Sequence, residues 1–191
     1  MPTSTTCSAF LPDMVPAPRV LGAIIAGGAA RRFGSDKGAA LFAGRALIDH
    51  AVATLAPLVD DVAIVGRKWV GLQSVPDRPG PGLGPMGGIA GSLGFARDMD
   101  YAGVLTMGCD TPVVPPALLK RLLAEDAAWC TDNPVIGFWP VRSAGEALAY
   151  AASDPKRSVR GWASSIGAVG IAWPGIANLN TPDDLARLEA R

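Results

Sequence analysis

The stretch Val20–Gly38, VLGAIIAGGAARRFGSDKG, decides the fold. Its first part, Val20–Ala26, is a continuous apolar run, which is typical of a strand covered on both faces of a parallel sheet. Gly27 and Gly28 follow directly, and glycines at such a position let backbone N–H groups approach an anion closely. The stretch therefore predicts a first strand with an anion-binding loop at its carboxyl end.

The rest of the chain alternates strand-like and helix-like segments. Short apolar runs predict strands, apolar residues at helical spacing predict helices, and the glycine- and proline-rich stretch Pro76–Gly88 predicts a long loop. Strands alternating with helices indicate a layered α/β/α domain. The expected strands are Val20–Ala26, Asp61–Val65, Tyr101–Met107, Val135–Val141 and Ala168–Ala172, and the expected helices are Ala46–Leu58, Ile89–Arg97, Pro115–Glu125, Ser143–Ser153, Arg157–Ser165 and Thr181–Glu189.

Length, composition and charge limit the class of protein. The 191 residues fit one domain, and a formal net charge of zero gives no electrostatic footprint for nucleic acid or an anionic membrane. Residues 1–19, rich in proline near their end, are expected to form a loose tail before a single domain over 20–191. No apolar run reaches the ~20 residues of a membrane span, and three scattered cysteines argue against a disulfide framework. A cytoplasmic location is therefore expected.

Charged side chains follow the predicted strands at their carboxyl ends, where ligands bind in such sheets. Arg32 and Lys37 come after the paired glycines and would form a cationic clamp for a triphosphate. Asp110 comes after the strand Tyr101–Met107 and can supply one oxygen to Mg²⁺. From the residues alone, the alternatives are an ordinary turn with solvated basic side chains and a turn-forming Asp-Thr-Pro sequence. The glycine loop matches neither G-x-G-x-x-G nor G-x-x-x-x-G-K-[ST].

Two asparagines near the carboxyl terminus alternate on an extended segment just before the last predicted helix. Helix capping accounts for Asn180 or Thr181, but it leaves Asn178 unexplained. The single histidine, His50, lies beside an apolar helix face and is interpreted as structural. Cys109 is interpreted as a packed thiol rather than a nucleophile, because no histidine lies near it in the sequence.

Four segments, taken in order, resemble the molybdenum cofactor guanylyltransferases. Ile25–Lys37 matches the pattern [LI]-A-G-G-x-x-x-R-[MF]-G-x-D-K throughout. Three shorter patterns follow in the expected order: G-P-x-x-G at Gly84–Gly88, C-D-T-P at Cys109–Pro112 and N-x-N-T-P at Asn178–Pro182. The resemblance runs from about Val20 to the C-terminus. It implies a three-layer α/β/α Rossmann-like nucleotidyltransferase fold with a mostly parallel central sheet.

The resemblance also implies roles for individual residues. Arg32, Lys37 and Asp110 would be catalytic, and Asp110 would be the magnesium ligand. Members of the family often carry an asparagine near Val65, so only a backbone contact is expected there. The nucleotide would lie against Ile25, Ala26, Gly27, Gly28, Arg32, Lys37, Val65, Asp77, Gly84 and Asp110, and the pterin acceptor against Asn178, Asn180 and Arg157, helped by Ser158 and Arg160.

The implied reaction transfers GMP from GTP to the terminal phosphate of molybdenum-molybdopterin, with Mg²⁺ as cofactor and pyrophosphate as the second product. GTP and molybdenum-molybdopterin are the expected substrates. Transient contacts with cofactor-delivery proteins and molybdoenzymes are compatible with this role, and neither nucleic acid nor a membrane is an expected partner. A cytidylyltransferase for the same pterin is the close alternative, although Ala26–Gly28 and Cys109–Pro112 are more similar to the guanylyl group. A sugar-phosphate nucleotidyltransferase is a more distant one. A non-catalytic nucleotide-binding module is the alternative from another class, and the presence of both Lys37 and Asp110 speaks against it.

Overall fold

The structure, a computed structural model, describes residues 17–27, 37–176, 178–179 and 181–189. In chain order its strands are β1 (Val20–Ile25), β2 (Leu41–Phe42), β3 (Arg45–Ala46), β4 (Asp61–Val65), β5 (Gln73–Val75), β6 (Gly103–Gly108), β7 (Ala128–Cys130), β8 (Gly137–Pro140) and β9 (Val169–Ile171). The α-helices are α1 (Leu47–Leu55), α2 (Gly84–Asp98), α3 (Pro116–Leu123), α4 (Ala144–Ser153), α5 (Val159–Ser165) and α6 (Pro182–Glu189), and short 3₁₀ helices cover Lys37–Ala39 and Val141–Ser143.

The central sheet is mostly parallel, as the sequence predicts. Its strand order is β5-β4-β1-β6-β8-β7-β9, and among these strands β8 alone runs antiparallel to its neighbours. Leu21 of β1 pairs with Asp61 of β4 on one side and with Val104 of β6 on the other. The chain therefore leaves β1 towards β4 and β5 and then returns to β6 on the opposite side. Such a reversal opens a crevice at the carboxyl ends of the strands, where α/β proteins bind ligands.

Alternation along the buried strands sends side chains into two cores, one on each face of the sheet. Leu21, Ala23 and Ile25 of β1 pack with side chains of α2, α4 and α5. Ile24, between them, packs with side chains of α1 and α3 on the other face. A continuous apolar run suits β1 because both faces of the strand are covered. Helices on both faces of the sheet confirm the three-layer α/β/α fold.

The helix α2 begins at Gly84, so the prediction of a loop over all of Pro76–Gly88 is wrong from that residue onward. Pro85 lies in the first turn, where a missing N–H is tolerated. Gly91 shows why glycines occur inside this helix, because a Cβ there would lie 2.2 Å from the carbonyl oxygen of Pro76. The glycines let α2 pack directly against the chain that leaves β5.

Further differences and agreements concern shorter features. The sequence pattern does not reveal β5 and β7, since a three-residue strand carries too little alternation to be recognised. The predicted cap of the last helix is confirmed: Thr181 Oγ1 accepts the Asp184 N–H at 3.2 Å, and the Asp184 carboxylate accepts the Thr181 N–H at 2.9 Å.

Within the described residues, no helix is both long and apolar enough to cross a bilayer. The cytoplasmic location stays a prediction.

A polar cluster holds the amino-terminal edge of the sheet. The Tyr101 hydroxyl and the Arg19 guanidinium each donate to Asp61 Oδ2 at 2.7 Å. These two hydrogen bonds, that of Tyr101 first, lower the pKa of Asp61. The cluster joins the segments that lead into β1, β4 and β6, so it fixes the three central strands at the end away from the glycine loop.

Candidate functional site

Lys37 and Asp110 meet at the carboxyl edge of the sheet. Lys37 opens the 3₁₀ helix after the glycine loop, and Asp110 follows β6. Lys37 Nζ lies 3.0 Å from Asp110 Oδ2, and the two side chains are 17% and 28% exposed. The Cys109 N–H donates to the Ile25 carbonyl at 3.3 Å, which ties the Asp110 turn to the end of β1. The structure thus brings together the residues predicted to be the phosphate-binding cation and the metal ligand.

Three further hydrogen bonds fix the turn that contains Asp110. The Thr111 hydroxyl donates to Asp110 Oδ1 at 3.3 Å, and Asn133 Nδ2 donates to Thr111 Oγ1 at 3.1 Å. The Leu179 N–H donates to the Asp110 carbonyl at 2.9 Å. Because Leu179 follows Asn178 directly, the asparagine segment near the carboxyl terminus lies beside the Asp110 turn.

Gly27, Gly66 and Asp77 lie against one another on the other side of β1. A Cβ on Gly27 would lie 3.3 Å from Asp77 Oδ2 and 3.4 Å from Gly66 Cα, so only glycine fits there without displacing a neighbour. Gly66 has a φ of 82°, in the left-handed region that favours glycine. Burial raises the pKa of Asp77. The carboxylate borders a cavity of about 410 Å³ that is also lined by Gly66, Arg67, Lys68, Ser74, Val75, Pro76 and Pro81.

The sheet itself uses part of the backbone at the end of β1. The Ala26 N–H donates to the Val65 carbonyl at 3.1 Å, and the Ile25 carbonyl accepts the Cys109 N–H. The Val65 side chain is fully buried in the core. A side-chain contact between Val65 and a ligand is therefore excluded, and backbone contacts at Ile25, Ala26 and Val65 stay predictions.

Arg67 is a cation of this crevice that the sequence analysis does not select. It lies in the turn after β4, and its guanidinium carbon is 5.5 Å from the centroid of the Trp69 ring. A Cβ on Gly38 would lie 2.7 Å from Arg67 Nη1, so the guanidinium reaches the 3₁₀ helix that carries Lys37. A sequence signal exists, because Gly66 and Arg67 follow a buried strand as Gly27 does.

Cys109 and His50 have the structural roles that the sequence predicts. Burial and then the neighbouring Asp110 charge raise the pKa of the Cys109 thiol to about 11, although Lys37 and Arg67 lower it. The thiol is therefore neutral at neutral pH and unsuited to nucleophilic attack. The His50 ring Nε2 donates to the Phe42 carbonyl at 2.7 Å, which ties α1 to the β2–β3 hairpin.

The start of α5 reaches the same edge of the sheet beyond β6. Arg160 Nη2 donates to the Thr131 carbonyl, just past β7, at 2.8 Å. Arg157 has a φ of 46°, and its Nε donates to the carbonyl of Ala151 in α4 at 3.3 Å. The Ser158 hydroxyl accepts a backbone N–H of α5, so helix capping accounts for it. Asn178, which is predicted to contact the pterin acceptor, is exposed.

Some predicted site residues lie outside the described residues. These are Gly28 and Arg32, within 28–36, and Asn180. Gly84 is described and is the exposed first residue of α2. Within the described part of the chain, no group of three or more His, Cys, Asp or Glu residues could hold a metal ion. A single carboxylate at Asp110 nevertheless fits Mg²⁺, which proteins bind through one or two carboxylates together with substrate phosphates.

Comparison with known proteins agrees with this architecture. Residues 22–166 match the MobA-like NTP transferase domain family. A molybdenum cofactor guanylyltransferase from Rhodobacter capsulatus is 38% identical over 187 residues, which cover 91% of this chain and 96% of that protein. A molybdenum cofactor guanylyltransferase from Rhizobium johnstonii is 31% identical over 191 residues, which cover 89% and 91%.

Solved structures show the same fold. Molybdopterin-guanine dinucleotide biosynthesis protein A from Archaeoglobus fulgidus has a TM-score of 0.70 at 21% identity, over 89% of this chain and 97% of that one. A Mycobacterium tuberculosis protein solved in complex with manganese has a TM-score of 0.65 at 18% identity, over 92% and 100%. The family match over most of the chain and the identity to curated relatives lead to one conclusion: the chain belongs to the nucleotidyltransferases of the MobA-like NTP transferase domain family.

Proposed function

We propose that this protein transfers GMP from GTP to the terminal phosphate of molybdenum-molybdopterin and releases pyrophosphate. The observation that carries the proposal is the Lys37–Asp110 pair, 3.0 Å apart, at the point where the strand order reverses between β1 and β6. The guanylyltransferases from Rhodobacter capsulatus and Rhizobium johnstonii favour the guanylyl reaction over the cytidylyl alternative.

The cluster of Gly27, Gly66 and Asp77 is the proposed place for the guanine base. Guanine presents two donors, at N1 and N2, beside the acceptor O6, and a carboxylate can accept from both donors. The pKa of Asp77 is raised because burial removes the carboxylate from water. Donors from guanine would replace the lost hydrogen bonds to water, whereas a base without paired donors would leave the carboxylate unsatisfied. The absence of a Cβ at Gly27 lets a purine approach the backbone.

The cations Lys37 and Arg32 are proposed to hold the triphosphate. Lys37 lies beside Asp110 at the switch point, and Arg32 belongs to the glycine loop that precedes it. Arg67 adds a third positive charge, because its guanidinium reaches the Lys37 segment from the other side. Fixed cations that bind the phosphoryl oxygens neutralise their negative charge, so they reduce the repulsion of an anionic nucleophile and make the α-phosphorus a better electrophile.

Asp110 is the proposed ligand for Mg²⁺. Its carboxylate is partly exposed towards the crevice, and the manganese complex of the Mycobacterium tuberculosis protein supports a divalent ion in this fold. When bound, the ion supplies charge neutralisation on the phosphates and orients the leaving group. Lys37 supplies a second positive charge at the same point.

The reaction itself asks little covalent chemistry of the protein. An oxygen of the acceptor phosphate attacks the α-phosphorus in line, a new P–O bond forms, and the bond between the α-phosphorus and its bridging oxygen to the β-phosphate breaks. The acceptor is already an anion, so no general base is required, in agreement with the structural role of His50. Positioning and charge neutralisation carry the rate enhancement. Asn178, beside the Asp110 turn, is proposed to place the acceptor.

The test is a turnover assay with purified protein, molybdenum-molybdopterin, Mg²⁺ and α-labelled GTP, with α-labelled CTP in a parallel reaction. We expect label in the dinucleotide cofactor and stoichiometric pyrophosphate with GTP. Higher turnover with CTP would establish the cytidylyl alternative. Nucleotide binding without any labelled product would establish a non-catalytic module.

A further inference from the structure

Asn133 is a buried polar residue to which the proposed reaction gives no role. It lies in the turn between β7 and β8 and is 8% exposed, and its partner Thr111 is fully buried. Buried polar side chains are retained where hydrogen bonds satisfy them. Here those hydrogen bonds lead to one functional carboxylate, that of Asp110.

The direction of the hydrogen bonds defines what Asn133 and Thr111 do. A threonine hydroxyl has one proton to donate. Thr111 Oγ1 accepts from Asn133 Nδ2 at 3.1 Å, so its proton is free to point to Asp110 Oδ1, 3.3 Å away. Lys37 Nζ contacts the other oxygen, Oδ2, at 3.0 Å. The two carboxylate oxygens therefore have different partners: Oδ1 accepts from the Thr111 hydroxyl, and Oδ2 faces the Lys37 ammonium.

The turn that carries Asn133 is itself fixed to the sheet. The Asn133 carbonyl accepts the Ile136 N–H at 3.0 Å, and the Thr106 hydroxyl of β6 donates to the Val135 carbonyl at 2.7 Å. The Asp132 carboxylate accepts the Trp173 N–H, just past β9, at 2.8 Å. Asn133 thus has a defined position between β6 and β9 from which to orient Thr111.

We propose that Asn133 and Thr111 are positioning residues that hold the Asp110 carboxylate in the orientation a divalent cation requires. The proposal rests on the proposed role of Asp110 as metal ligand. Neither residue is assigned a contact with nucleotide or metal, and both act through Asp110. Partners of this kind, one hydrogen bond behind a metal ligand, contribute about 10- to 100-fold to metal affinity.

Mn²⁺ is the probe, and the readout is binding rather than turnover. Titration calorimetry gives the Kd of GTP for the protein in the presence of a chelator and in the presence of Mn²⁺. The Kd in chelator divided by the Kd with Mn²⁺ measures how far the ion tightens GTP binding. We expect Thr111→Val and Asn133→Ala each to lower this ratio by about tenfold. The Kd of GTP in chelator should be unchanged, because neither side chain is assigned to the nucleotide.

Ser143→Ala is the matched control, since Ser143 is also buried, at 5% exposed, and donates to the Pro140 carbonyl. Pro140 pairs with Gly103 at the amino end of β6, whereas Asp110 follows the carboxyl end of that strand. It should lower thermal stability and leave the ratio unchanged. The proposal is overturned if Thr111→Val and Asn133→Ala keep the wild-type ratio while Asp110→Asn loses it, or if Ser143→Ala lowers the ratio equally. If Asp110→Asn itself keeps the wild-type ratio, the proposed metal role of Asp110 fails instead.

Discussion

Lys37 Nζ and Asp110 Oδ2 lie 3.0 Å apart, although 73 residues separate them along the chain. Both side chains are partly withdrawn from water, so water screens their attraction less than it screens that of an exposed ion pair. In the proposed reaction the triphosphate gives Lys37 a second anion and the metal gives Asp110 a second cation. The pair therefore keeps two opposite charges fixed at the switch point of the sheet before any ligand arrives, which is the preorganisation that electrostatic catalysis needs.

Lys37→Ala is expected to lower turnover by at least ~10²-fold, the usual scale for losing one preorganised electrostatic group. The fold should persist, because the side chain is not part of either core. Steady-state measurement of kcat with GTP and the pterin acceptor checks this. Lys120→Ala, at an exposed position of α3, is the control and should keep the wild-type rate. A near wild-type rate for Lys37→Ala would remove Lys37 from the phosphate site.

Asp77→Asn is expected to stabilise the free protein. Burial raises the pKa of Asp77 above its ordinary value of 3.8, so the carboxylate destabilises the fold only once it ionises. The wild type therefore loses no stability relative to Asp77→Asn below that ordinary value, where the carboxyl group is protonated. Its free energy of unfolding falls relative to that of the variant as pH rises through the folded pKa. The gain in Tm on substitution should therefore be larger at about pH 7 than at about pH 4. An equal gain at both values in thermal denaturation would contradict this prediction.

The sequence allows β1 and its loop to be predicted because a buried parallel strand leaves a local signal, the unbroken apolar run of Val20–Ala26. The start of α2 leaves no such signal. Its glycines are typical of a loop, and the reason for one of them is a tertiary contact: a Cβ on Gly88 would lie 3.1 Å from Ile25 Cγ2 of β1. Sequence spacing does not show which strand will lie against a helix.

The residues of the candidate site also differ in whether the sequence reveals them. Lys37 and Asp110 can be selected because each comes shortly after a strand that the pattern reveals. Asn133 cannot, since it follows β7, a three-residue strand without a readable pattern. Its partner Thr111 lies 22 residues earlier in the chain, so only the folded sheet shows that the two side chains meet behind Asp110.

Gly91→Ala and Gly145→Ala should have opposite effects on stability. A Cβ at Gly91 would lie 2.2 Å from the Pro76 carbonyl oxygen, so α2 or the chain next to Asp77 must shift. We expect a loss of about 1–3 kcal/mol in the free energy of unfolding, as for overpacking of a core. Gly145, exposed in α4, has nothing within 4 Å of its Cβ position, and alanine there should add about 0.5–1 kcal/mol. Urea denaturation measures both changes, and a stabilised Gly91→Ala would refute the packing argument.

The unmodified protein is expected to use GTP in strong preference to CTP and ATP. A pocket that offers the Asp77 carboxylate to the two donors of guanine leaves that carboxylate unpaired when another base enters. A site in which the wrong substrate leaves a buried polar group unpaired can discriminate against it by about 10⁴-fold in kcat/KM. Relative kcat/KM with the same acceptor measures the preference, and equal or better use of CTP would contradict the guanylyl assignment.

Gly27→Ala should erode this preference for GTP. The added Cβ would lie 3.3 Å from Asp77 Oδ2 and 3.4 Å from Gly66 Cα, so the carboxylate must move away from the base. Losing one hydrogen bond of about 0.5–1.5 kcal/mol should lower the GTP-to-CTP ratio of kcat/KM by up to about tenfold. Gly80→Ala is the control, because Gly80 has nothing within 4 Å of its Cβ position, and it should keep the wild-type ratio. If Gly27→Ala lowers kcat/KM equally for both nucleotides, the methyl group blocks the phosphates and Asp77 does not read the base.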